Sequence, residues 1–139
     1  MQNSLATSVI DKMYFNDPFS LWLGIERVEE VAGHCTLRMT VRKEMLNGFG
    51  IAHGGITYSL ADSALAFASN SHGRKAVSIE TSISHTEPVR EGDVLTAVAE
   101  EVNLSNKIGH YRIEVKNQHG QVVALFKGIV YRTGKEWEV

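Results

Sequence analysis

The stretch from His53 to Asn70, HGGITYSLADSALAFASN, limits what this chain can fold into more than any other. Behind its two glycines it has the composition of a helix. Ile56, Tyr58, Leu60, Leu65 and Phe67 point around much of the circumference, with Ala and Ser between them. A helix without a polar face has to be covered on most sides. The simplest cover is a strongly curved antiparallel sheet wrapped around it, an α+β arrangement.

The rest of the sequence supplies the strands. From Ile25 the pattern turns to period two, and Cys35, Leu37, Met39 and Val41 alternate with Thr36, Arg38, Thr40 and Arg42. After His72-Gly73 come four long alternating segments: AVSIETSISHTEPV, DVLTAVAEEVNLS, IGHYRIEVKN and QVVALFKGIVYR. Glu91-Gly92, Asn106-Lys107 and His119-Gly120 divide them, and such short turns predict antiparallel neighbours. Upstream, Leu5, Val9 and Met13 make one apolar stripe at helical spacing, so residues 2–15 read as a short helix. Asp17-Pro18 reads as the cap and first position of a second short helix that Gly24 ends. EMLNGFGIAHGG fits neither period and reads as a loop. Two short helices, two strands, one long helix and four strands are expected, as a single domain over residues 1–139. Long edge strands, and a helix that one sheet cannot fully cover, predict a homodimer at least.

Composition removes several function classes. The net charge is −2, and the fourteen Lys and Arg are scattered, which argues against a nucleic-acid or anionic-membrane partner. No apolar run approaches the roughly 20 residues that span a bilayer. The single Cys35 and an N-terminus without a basic start or long apolar run predict a cytoplasmic protein. The six His are dispersed without metal-ligand spacing, and no phosphate-binding glycine fingerprint follows a strand, so neither a metal nor a cofactor is expected.

One charge stands in the middle of the apolar helix, Asp62. A carboxylate buried there costs several kcal/mol unless it is paired or meets water in a cavity. Its helical neighbours Tyr58, Ser59, Leu65 and Ala66 offer no cation. One reading is a solvated Asp on an exposed spot; the other is a carboxylate kept for chemistry. Gly54 and Gly55 favour the second, because they let a ligand approach the helix N-terminus, where free N–H groups and the positive dipole end can hold an oxyanion. A carbonyl-polarising donor plus a carboxylate that attacks or activates water suffices for acyl transfer without Ser or Cys. The two lie about 12 Å apart along one helix at its usual rise, too far to touch one carbonyl. Two helices running antiparallel across a dimer axis remove the difficulty, with Gly54 of one chain facing Asp62 of the other.

LNGFGIAHGGITYSLADSALAFASNS, the turn in EPVREGDVLTAVAEEV and the final VVALFKGIVYR together resemble the hotdog-fold acyl-CoA thioesterases, and within them the PaaI subgroup associated with phenylacetate catabolism. The resemblance runs from about Gly24 to Arg132. It implies a long helix wrapped by a sheet of about six antiparallel strands, an acyl-CoA substrate, and a homotetramer built as a dimer of dimers. It also implies that Asp62, eight residues after Gly54, is catalytic as nucleophile or general base, and that Gly54 polarises the carbonyl. Asn47 and His53 are implied to help hold the thioester, and Ser78, on the following strand, to position water. Each has a plainer alternative: Asn47 as a turn residue, His53 as a helix cap, Ser78 as an ordinary strand residue.

The same resemblance favours phenylacetyl-CoA or hydroxyphenylacetyl-CoA, or a medium-chain acyl-CoA. Met45, Phe49, Ile51, Tyr58 and Phe67 are candidates to line an apolar acyl pocket. Arg74, Lys75, Arg90 and Lys107, near the turns, are candidates to meet CoA phosphates or are solvated surface charges. A non-catalytic acyl-CoA sensor and a hotdog hydratase or dehydratase are the competing functions.

Overall fold

A computed structural model describes residues 4–139, so residues 2 and 3 of the first expected helix lie outside the described part. The helices are α1 (Leu5–Tyr14), α2 (Pro18–Leu23) and α3 (Gly54–Asn70); the strands are β1 (Glu26–Val31), β2 (His34–Thr40), β3 (Arg74–His85), β4 (Val94–Leu104), β5 (Ile108–Lys116) and β6 (Val122–Glu136). All six strands form one antiparallel sheet in the order β1-β2-β4-β5-β6-β3. α3 lies against β2, β4, β5, β6 and β3, so the sheet wraps the helix as its missing polar face requires.

Both short helices start and stop for local reasons. Ser4 caps α1 by accepting from the Thr7 amide, and Asp17 caps α2 through Ser20, with Pro18 at the first helical position. Gly24 ends α2 in the left-handed region at φ +72°, which a residue with a Cβ adopts only at a cost. The buried face of α1 is Ala6, Val9 and Ile10; of the expected stripe Val9 is buried and Met13 packs against the core, while Leu5 stays outside it. Leu5 is 52% exposed, its side chain resting over Gly73 just past the end of α3.

The interface between α3 and the sheet is made of small residues beneath large ones. Ala61, Ala64 and Ala68 on the helix and Ala97, Ala99 and Ala124 on the strands are all fully buried. They bring the backbones close while Leu60, Leu65, Phe67, Tyr111 and Phe126 fill the core around them. Burying each such large side chain contributes about 1.5–3 kcal/mol. Met45 and Phe67 belong to this core, Phe67 meeting Tyr14 edge-on at 6.3 Å, so neither lines an acyl pocket within the chain as the sequence led us to expect.

One expected pairing is corrected. The turns at Asn106-Lys107 and His119-Gly120 join neighbours, but Glu91-Gly92 does not join β3 to a neighbouring β4. The turn itself is real: Asp93 N donates to the Arg90 carbonyl, Arg90 N to Asp93 Oδ2, and Gly92 sits at φ +87°. It belongs to a crossover tied by Ala52 N to the Val89 carbonyl and by Gly92 N to the Val41 carbonyl. The crossover carries the chain from β3, paired with β6, across to β4, paired with β2, which closes the sheet over both flanks of α3. β3 is thereby an edge strand of twelve residues, with Val77 56% and Ile79 59% exposed.

Gly128 on β6 marks the tightest approach, since a Cβ there would meet Leu65 Cδ2 at 2.5 Å. Leu65 is itself walled in by the core. Gly128→Ala should therefore cost about 1–3 kcal/mol through overpacking, read as a lower urea midpoint with an unchanged slope. An unshifted midpoint would mean that the helix can lift off the sheet at no cost.

Candidate functional site

The site starts in the loop before α3. Asn47 accepts hydrogen bonds at Oδ1 from the Phe49 amide at 2.9 Å and the Ile51 amide at 3.4 Å, while its own amide donates to the Ile51 carbonyl at 2.7 Å. These bonds close the loop into a tight bend, so Asn47 does act as a turn residue here. Phe49 is carried out into solvent at 91% exposure, and Ile51 is half-buried. The loop fixes His53, whose amide donates to the Met45 carbonyl at 2.8 Å and whose Nδ1 accepts from the Gly55 amide at 2.9 Å. His53 is thus the cap of α3. The next amide, Gly54 N–H, has no acceptor among the described residues, and it lies exposed at the positive end of a seventeen-residue helix.

Both glycines have close side-chain neighbours. A Cβ on Gly55 would sit 3.0 Å from His53 Nδ1, and one on Gly54 would sit 3.2 Å from His85 Nε2. Nothing in the sequence singled out His85, a lone His at the end of a strand. Its only sequence signal is parity: Thr81, Ile83 and His85 pair with Gly128, Phe126 and Ala124, the residues of β6 that face the helix.

Asp62 lies eight residues along, on the one side of α3 the sheet leaves open. Gly55, Ser59, Asp62 and Ala66 form that stripe, none of them fully buried, at alternating four- and three-residue spacing. Among the described residues the Asp62 carboxylate makes no ion pair and no hydrogen bond, and burial pushes its pKa above the usual carboxylate value. It opens into a cleft of about 390 Å³ shared with Ala66, Lys75, Ser78, Val130 and Trp137. The only cation there, Lys75, stands over the Trp137 ring at 5.0 Å. A depression of about 880 Å³ lies on the sheet face turned away from α3, among Val102, His110, Arg112, Leu125 and Lys127. It contains no carboxylate and none of the expected site residues, whereas the smaller cleft holds Asp62 and Ser78.

The single chain therefore gathers the expected residues into two groups. Asp62 and Ser78 share the cleft, while Asn47, His53, Gly54 and Gly55 cluster at the helix start, about two turns away. Tyr58 lies between them, its hydroxyl 2.5 Å from Thr81 Oγ1 and its ring edge-on to Phe126 at 5.3 Å. The cations do not converge. Arg74 donates to the Asn106 side chain and carbonyl beside Lys107, whereas Arg90 lies beyond the opposite end of β3. Among the described residues, no three His, Cys, Asp or Glu side chains stand together as a metal site needs, and no helix is long and apolar enough to cross a membrane.

Known proteins share this fold. A family model of the thioesterase superfamily matches residues 49–124. The acyl-coenzyme A thioesterase PaaI of Escherichia coli is 42% identical over 122 residues, covering 88% of this chain and 87% of PaaI. The structure of the E. coli PaaI protein from the phenylacetic acid degradation operon matches with a TM-score of 0.93 at 39% identity, over 95% of this chain and 96% of that one. A Streptococcus mutans protein solved bound to acetyl CoA matches with a TM-score of 0.79 at 29% identity, over 81% of this chain and 91% of that one. The chain belongs to the thioesterase superfamily. Its fold is the hotdog fold shared with PaaI, and the enzyme is a thioester hydrolase of that kind.

Because burial raises the Asp62 pKa, the folded chain holds more protons than the unfolded one between the ordinary carboxylate value and the raised one. Stability from this group is present at low pH and lost as pH rises through that window. Asp62→Asn removes the titration, so at pH 7 it should melt at a higher temperature than wild type, with the gap shrinking as pH falls towards about 4. A variant that melts lower at pH 7 would reveal a stabilising partner for the carboxylate.

Proposed function

We propose that the enzyme hydrolyses acyl-CoA thioesters to the free acid and CoA, with phenylacetyl-CoA or its ring-hydroxylated forms as preferred substrates, at two sites that form between the α3 helices of a homodimer. The observation that carries this is the state of α3: among the described residues the Gly54 amide and the Asp62 carboxylate are both unpaired, neither is fully buried, and they stand too far apart on one chain to serve one carbonyl. Antiparallel pairing of two such helices brings Gly54 of one protomer to Asp62 of its partner. The unpaired edge of β3, with Val77 and Ile79 exposed, gives the pairing an apolar margin beside the helix.

In each site the carbonyl oxygen of the thioester accepts from the Gly54 N–H, at a helix end whose dipole favours the negative charge that builds there. Asp62 takes a proton from water, and the Ser78 hydroxyl in the same cleft orients that water. The water oxygen bonds to the carbonyl carbon, the C–S bond breaks, CoA leaves as a thiolate that takes up a proton from solvent, and Asp62 returns its own proton to solvent, ionised for the next turnover. Asn47 and His53 act by holding the loop and the cap that leave the Gly54 amide free. Phe49, Ile51 and Tyr58 remain as apolar contacts for the acyl group, and Arg90 and Lys107 as contacts for CoA phosphates. Exposed Val102, Leu125 and Tyr131 on the far side of the sheet support pairing of two dimers into a tetramer. The buried, unpaired Cys35 fits a reducing cytoplasm.

A thiol-release assay with a panel of acyl-CoAs tests the function. Wild type should release CoA fastest from arylacetyl substrates, and Asp62→Asn should lose at least about 10²-fold in kcat, the scale of a missing acid/base group. The acid limb of kcat/KM should lie above the ordinary carboxylate range, because the ionised form is active and burial raises the Asp62 pKa. Tight acyl-CoA binding without thiol release would instead identify a sensor, and hydration of an enoyl-CoA would identify a hydratase.

A further inference from the structure

β3 lies along the open flank of α3 in the opposite direction, so its inward side chains meet successive turns of the helix. Ser78 shares the cleft of Asp62, Thr81 meets Tyr58, and His85 meets Gly54. At the helix start this places an imidazole beside the Gly54 amide, which has no acceptor among the described residues. His85 makes no side-chain hydrogen bond among the described residues and is exposed, so nothing within the chain accounts for its position.

We propose that His85 is a substrate-contacting residue whose Nε2–H donates a second hydrogen bond to the thioester carbonyl oxygen, beside the Gly54 amide of the same chain. The 3.2 Å between Nε2 and the Cβ position of Gly54 sets a limit. With standard backbone dimensions, Nε2 lies within about 5.7 Å of the Gly54 nitrogen. One oxygen can accept from two nitrogens at about 2.9 Å each whenever they are less than about 5.8 Å apart. The separation therefore permits one carbonyl oxygen to lie between the Gly54 amide and His85 Nε2. His53 serves the cap through Nδ1, which accepts from the Gly55 amide.

The proton inventory is simple. As water adds to the carbonyl carbon, negative charge gathers on the oxygen, and Nε2–H and Gly54 N–H both strengthen their bonds to it. When the C–S bond breaks, the carbonyl reforms and His85 has kept its proton throughout. The bond is worth more in the transition state than in the bound substrate, so its loss belongs in kcat.

The assignment rests on the hydrolase function proposed above, and the test separates the two. His85→Leu and His85→Gln have similar bulk, but only Gln carries a donor. Both should melt within a few degrees of wild type, since the side chain is exposed. With phenylacetyl-CoA, or the panel substrate that wild type hydrolyses fastest, His85→Leu should lower kcat about 10²–10³-fold with little change in KM, the scale for removing one oxyanion donor. His85→Gln should recover at least about tenfold of that loss. A kcat for His85→Leu within about threefold of wild type, equal defects in both variants, or a loss confined to KM would overturn the role of His85 while leaving the hydrolase intact. If wild type released thiol from no acyl-CoA, the hydrolase function would fail and the role of His85 with it.

Discussion

Everything in this fold follows from the burial of α3. Its sequence has no face that water would solvate well, so the sheet has to curl around it, and the curl is possible because small residues lie where helix and strands touch. Ala61, Ala64 and Ala68 lie against a sheet floor of Ala97, Ala99, Ala124 and Gly128. At Gly128 the fit leaves no room for a methyl group. A helix held this closely leaves one stripe outside the sheet. That stripe is Gly55, Ser59, Asp62 and Ala66, three small residues and one carboxylate.

The chemistry uses what burial leaves unsatisfied. A helix start exposes amides that the helix cannot satisfy, and here the His53 cap satisfies the Gly55 amide and leaves that of Gly54. A carboxylate half out of water is raised in pKa and lacks a cation that would quench it as a base. Each feature is unfavourable for a lone chain and useful in a thioesterase. In the function proposed, the donor stabilises charge on the carbonyl and the unpaired carboxylate deprotonates water more readily than a fully solvated one. Their separation along the helix is what the proposed pairing of two protomers would bridge.

Much of this was legible in the sequence, and the failures have identifiable causes. The unbroken apolar run with one Asp gave both the central helix and its catalytic candidate, because burial and charge are recorded in residue type. Asp17-Pro18 and Gly24 gave the limits of α2, since caps act within a few residues. The pairing of β3 was misread. A Gly turn reports a local reversal of the chain, whereas the place of β3 beside β6 depends on contacts about fifty residues away. Met45 and Phe67 were expected near substrate because apolar character alone does not distinguish core from pocket. His85 was missed for a related reason: its position over Gly54 comes from the antiparallel run of β3 along α3, which no local motif encodes.

The central claim is that each active centre draws its amide from one protomer and its carboxylate from the other, and subunit mixing tests it directly. Asp62→Asn and Gly54→Pro homodimers should both be nearly inactive, the second because proline removes the amide at a position where a helix start tolerates it. Refolded together in equal amounts, they give about half heterodimers, each with one centre that combines wild-type Gly54 and wild-type Asp62. The account predicts that activity returns to about a quarter of the wild-type value, which neither parent reaches alone. No recovery, with heterodimers demonstrated by native mass spectrometry, would contradict it and place both residues in a site within one chain.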